Sequence, residues 1–138
     1  MRDSNTQIII DDPVKEARRY VANAKKTIRD NEKYDPETGC YDDPKYIRSA
    51  GHYLWYAVLI MLDAVFQVKS SQQSHPDINN YLLAVRQRDR KLLTLVHTAY
   101  TINHITLGYD GVLKKTTFRD GVSLTNDIID RCAAMLPS

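Results

Sequence analysis

Glutamate is scarce in this chain. Fourteen Asp stand against only three Glu (Glu16, Glu32 and Glu37) in 138 residues. A helical di-iron protein draws Glu from several helices and carries paired Glu-x-x-His motifs; the sequence contains no Glu-x-x-His. Cysteine is nearly as rare. Cys40 and Cys132 lie far apart without CxxC spacing, which reads as two free thiols and not as a disulfide framework. Five Gly and five Pro are too few for a turn-rich β-sandwich of this length. A net charge of +2 gives no basic excess of the kind a dedicated nucleic-acid binder shows. An apolar, uncharged run of fourteen residues, from Ser49 to Leu62, is too short to span a bilayer and suits a buried core helix. The first residues, MRDSNTQIIIDDP, hold an apolar run of only three Ile, so no secretory segment is expected. These absences leave a cytoplasmic protein with no membrane association as the expectation.

What is present is helical periodicity over a length that fits one domain, residues 1–138. Asp11-Asp12-Pro13 is a helix start, with Asp capping exposed amides and Pro losing no bond at the first position. Val14, Ala17, Val21, Ala24 and Ile28 then recur at three- and four-residue steps, predicting a helix over 13–33. Its other face carries Lys15, Arg18, Arg19, Lys25, Lys26 and Arg29, a solvated surface. Tyr34 to Pro44 combines prolines, a glycine and acidic residues. It reads as a loop, because the calcium-loop spacing and terminal Glu are missing.

A second helix is expected over 45–69. Ile47, Leu54, Ala57, Val58, Met61, Leu62 and Val65 form one face, extended by Trp55, Leu59 and Phe66, so this is the central helix. Lys45, His52, Tyr56 and Asp63 fall on one narrow line opposite. A third helix is predicted over 78–107, with Leu82, Val85, Leu92, Leu93, Val96, Ala99 and Tyr100 inward. Asp89 and Asn103 interrupt that face, and Arg86, Arg90, His97 and His104 make a band on its flank. A fourth helix is expected over 117–136, capped by Ser123 or starting nearer Lys115 with Gly121 inside it. Short links between four helices make an all-α, up-and-down four-helix bundle the expected fold.

The stretch EARRYVANAKKTIRD, the acidic loop and SAGHYLWYAVLIMLDAVF together resemble the first half of HEPN domains. The later stretch LVHTAYTINHITLGYDGV is similar to a group of small bacterial proteins of unknown function with this kind of helical bundle. The likeness runs from about Pro13 to Leu136. It implies a HEPN-like homodimer and a setting beside a minimal nucleotidyltransferase or in a toxin–antitoxin pair. Many ribonucleases of that family carry Arg-x(4–6)-His. Here Arg90 and His97 have six residues between them and Tyr100 follows, with Lys91 where the family commonly has asparagine.

Residues seven apart on a helix share a face. Histidine can exchange a proton near neutral pH, and arginine offers a forked donor to phosphate oxygens, which is the chemistry of RNA cleavage through the 2′-hydroxyl. Arg86 and His104 would widen such a site. If the polar line of the second helix faces this band, His52, Tyr56, Asp63, Arg90 and His97 form one cluster. Asp63→Ala then costs roughly 3 kcal/mol or more, because a buried partner charge is stranded. A site built from His52, His97 and His104 is disfavoured, since no two histidines have the i, i+4 spacing that anchors a metal; no metal or cofactor is expected. The first reading is a non-enzymatic binding or interaction module. The rivals are a metal-independent ribonuclease using Arg90 and His97, with RNA as partner, and a small-ligand binder in the cleft between the second and third helices.

Overall fold

The computed structural model describes residues 12–67 and 77–137. Among them it is almost wholly helical: α1 (Pro13–Asn31), α2 (Pro44–Phe66), α3 (Ile78–Arg88), α4 (Arg90–Ala99), a π-helical segment (Tyr100–Leu107) and α5 (Lys115–Ala133). A small antiparallel ribbon pairs β1 (Tyr34–Asp35) with β2 (Cys40–Tyr41). The expected N-terminal triple-Ile run, the end of the second helix at Lys69 and most of the following polar connection lie outside the described residues.

Local chemistry sets the helix starts. Asp12 and Asp43 each precede a proline and accept a bond from the amide of Lys15 or Lys45, so the first turns of α1 and α2 are satisfied. The acidic loop spends its carboxylates on backbone amides. Glu32 accepts from the amides of Asp42 and Asp43, and Asp42 accepts from that of Lys33. Burial pushes the Glu32 carboxyl above the usual carboxylate range, with those amide bonds opposing it. The ribbon is tied to the start of α5 by Tyr41 N–H to Leu113 O and Lys115 N–H to Gly39 O, at 2.8 and 3.0 Å.

α2 is the centre. Among the described residues it is the one helix long and apolar enough to cross a membrane by length and composition, yet its faces are buried against α1, α5 and the π segment. Ala17, Val21, Ala24 and Ile28 of α1 cover one side, and Ile128, Ile129 and Cys132 of α5 join the same core. Burial raises the Cys132 thiol to about 12, and Cys40 is likewise a free thiol. α2 stops at Gln67, which takes a left-handed conformation (φ 50°) and closes the last turn on Asp63 O.

Two departures from sequence expectation shape the molecule. The predicted third helix is broken at Asp89, whose extended backbone ends α3 while its side chain caps α4 through the Leu92 amide. Beyond Ala99 the winding widens, and Gly108 N–H reaches back five residues to Asn103 O at 2.9 Å. The last helix begins at Lys115 and runs through Gly121, with Ser123 inside it and not at its cap.

Gly51, Gly108 and Gly121 mark where backbones meet. A Cβ on Gly51 would stand 2.5 Å from Gly108 N and 2.7 Å from Asn103 O. A glycine-to-alanine change inside an ordinary exposed helix stabilises by about 1 kcal/mol. Gly51→Ala is expected to reverse that sign and cost about 2–3 kcal/mol through overpacking against rigid backbone, read as a lowered urea midpoint with an unchanged slope.

Candidate functional site

A concavity opens beside the break at Asp89. Its carboxylate is gripped by the Arg131 fork of α5, Nε to Oδ2 at 2.7 Å and Nη2 to Oδ1 at 3.0 Å, which pins the hinge to the body of the protein. That guanidinium, with the Leu92 amide, holds the Asp89 carboxyl below the usual carboxylate range. α3 and α4 diverge from the hinge and leave a groove of about 600 Å³ between them. Asn79, Leu82, Leu83 and Arg86 of α3 line one wall; Leu93, Thr94, His97 and Thr98 of α4 line the other. Leu83 is 57% exposed there. The Thr94 and Thr98 hydroxyls donate back to the carbonyls of Arg90 and Thr94. None of the lining residues is acidic.

Arg90 and His97 sit on one unbroken helix, at the first turn and the last turn of α4, both exposed. The groove brings His97 to Arg86 across the two helices; Arg90 is outside its lining. Among the described residues, no hydrogen bond or ion pair fixes the side chain of Arg86, Arg90 or His97.

The expected single cluster around Asp63 does not form. Asp63 is exposed near the end of α2, where its Oδ1 accepts a 2.7 Å bond from the hydroxyl of the buried Tyr81 of α3. Burial, then that carboxylate, pushes the Tyr81 phenol up. Tyr56 stacks on Tyr20 of α1 with ring centroids 5.2 Å apart. His52 turns to the π segment, 6.0 Å from the His104 ring. The polar line of α2 therefore runs along its outer seam, where His52, Tyr56 and Asp63 are all exposed.

His104 belongs to an aromatic group with Trp55 and Tyr100, at 5.9 and 5.3 Å between ring centres. Its Nδ1 is buried with no hydrogen-bond partner among the described residues. Burial lowers the His104 pKa, and the nearby His52 lowers it further. Among the described residues no group of three or more His, Cys, Asp or Glu could hold a metal. His97 lies in the groove, apart from the pair formed by His52 and His104.

Sequence reasoning missed the groove walls. Leu82 and Leu93 read as core because they fall on the apolar stripe of an unbroken helix. Leu83, off that stripe, was the available signal. It also missed the buried contact of Asn103 Nδ2 with Thr125 Oγ1 at 2.8 Å, although Asn103 stood out as a polar residue on an apolar face.

Residues 12–134 match the family described as "Domain of unknown function (DUF5618)". A solved structure, described as a protein of unknown function from Dyadobacter fermentans, is similar at 32% identity and a TM-score of 0.78, covering 88% of this chain and 93% of that one. No curated protein matches the chain.

Two outcomes follow from this geometry. Because Asp63 is exposed, Asp63→Ala and Tyr81→Phe should each cost about 1 kcal/mol, and their double-mutant cycle should show coupling of similar size. His104, with its folded pKa below the ordinary 6.5, contributes stability that is complete above that value and is lost as pH falls below it. The melting temperature of His104→Gln should therefore fall less than that of wild type between about pH 7 and pH 5.

Proposed function

The chain belongs to the DUF5618 family, and on that footing we propose that it is a helical interaction module with no chemistry of its own. One observation carries this: the groove between α3 and α4 has leucine walls, the cation of Arg86 with His97 on its edge, and no acid in its lining. A concave apolar surface with a few convergent polar groups is the usual form of a binding site. The reading keeps the up-and-down, HEPN-like arrangement, with α3, α4 and the π segment running on as one bent third helix. It also keeps the cytoplasmic, homodimeric setting beside a nucleotidyltransferase or in a toxin–antitoxin pair that the resemblance implies.

The second reading, a metal-independent ribonuclease, is favoured by the exposure of Arg90 and His97 on the single helix α4. A general base, however, needs a neighbour that fixes its ring and tautomer, and His97 has none among the described residues. The small-ligand reading shifts with the structure: the groove opens between α3 and α4, within what the sequence presents as one helix.

The decisive assay is cleavage of labelled single-stranded RNA in EDTA by wild type, His97→Ala and Arg90→Ala. The module reading expects no cleavage, or the same trace with all three. Cleavage by wild type that both substitutions abolish overturns it in favour of the ribonuclease.

A further inference from the structure

Among the described residues, the α3–α4 pair leaves part of its apolar surface open. α3 packs chiefly on α4 and only lightly on α2, and Leu83 on its outer side is 57% exposed. Leu82 and Leu93 are only partly covered by the core they touch. Two helices diverging from a hinge, with leucines along the gap, present the surface on which a third helix packs.

Charge selects the occupant. Between Ile78 and Ala99 the sequence holds Arg86, Arg88, Arg90 and Lys91 against one acid, Asp89. That acid is already engaged by Arg131. Arg88 lies over the Phe66 ring at 5.3 Å, towards α2, which leaves Arg86 as the groove's own permanently charged group. A second copy of the chain seated here by a two-fold axis would set the groove against its own equivalent, whose lining offers Arg86 no acid.

Resting on the interaction-module reading, we infer that the α3–α4 groove takes an acidic amphipathic helix from a different protein. Its apolar stripe lies on Leu82, Leu83 and Leu93, and its carboxylates face Arg86 and the imidazole of His97. The Arg86 cation attracts such a helix from solution, Arg86 and His97 fix its orientation, and the leucines hold it.

The test is an NMR titration of the full isotope-labelled chain with two synthetic peptides of about 20 residues, long enough for about 30 Å of helix. Both carry leucines at i, i+3, i+7 and i+10; one has glutamates flanking the stripe, the other lysines. The glutamate peptide should shift the amides of Leu82, Leu83, Leu93 and His97. Arg86→Glu should weaken it about tenfold, as should added salt, and the lysine peptide should bind at least about tenfold less tightly. Arg86→Gln, which removes the charge without reversing it, should fall between. Groove binding by both peptides with equal affinity overturns the acidic specificity and leaves the module reading standing. No shifts at millimolar glutamate peptide, or shifts that map away from α3 and α4, overturn the inference. RNA cleavage lost in His97→Ala and Arg90→Ala would instead remove the reading beneath it.

Discussion

Three helix backbones converge on Asn103, and the rest of the structure is arranged around that contact. Asn103 is fully buried, a position where an unpaired amide is costly. Its Nδ2 donates to Thr125 Oγ1, which in turn donates to Gly121 O at 2.7 Å, while its Oδ1 is buried with no hydrogen-bond partner among the described residues. Such closeness requires that α2 and α5 offer no side chain at the crossing. Gly51 supplies this on one side. Gly121 does so on the other, where a Cβ would lie 2.7 Å from Asn103 Oδ1. Within the π segment Asn103 and Leu107 are buried, while Tyr100 and His104 turn towards Trp55.

A second constraint, the Asp89 hinge, acts at the far end of the same stretch. One carboxylate caps α4 and binds the Arg131 fork, so the break is held by α5 and not left to local propensity. The hinge also separates two surfaces that a straight helix would have merged. Val85, Leu92 and Val96 are drawn into the core, while Leu82 and Leu93 are left on the groove. The groove is thus a consequence of one polar residue placed on an apolar stripe, and its direction relative to the body is set by an ion pair to another helix.

These two constraints divide what sequence could show from what it could not. α1 announces itself through its Asp-Pro start and α2 through its long apolar face, features that act within a few residues; the Asp43-Pro44 start of α2 reads in sequence as part of the preceding loop. The break at Asp89 has no Pro or Gly to mark it, and the Arg131 fork that holds it lies forty-two positions away. Gly121 reads locally as a breaker but sits inside α5, because its lack of a side chain is used by Asn103 and not by a turn. The band of Arg86, Arg90, His97 and His104 was visible as a pattern, yet its members part company once the helix bends and rewinds. His104 goes to the aromatic group, His97 and Arg86 go to the groove, and Arg90 stays on the outer surface. Asp63 was legible as a charge on an apolar helix. Its partner, Tyr81, lay on a face that only the hinge could orient.

The same geometry weighs binding against catalysis. A proton-transfer site depends on side chains held to within a fraction of an ångström by neighbours that are themselves fixed. On α4, Arg90 and His97 share a helix face, but no described neighbour grips either head group, and both reach into solvent. Binding asks for less. A flexible cation beside a fixed apolar wall can adjust to a partner and still contribute charge complementarity. Here the fixed part of the surface is the leucine wall, anchored through the Asp89 hinge, and the adjustable part is the arginine and histidine at its edge. A surface with that division of rigidity is suited to holding another chain, and the hinge that creates it is the feature on which its specificity depends.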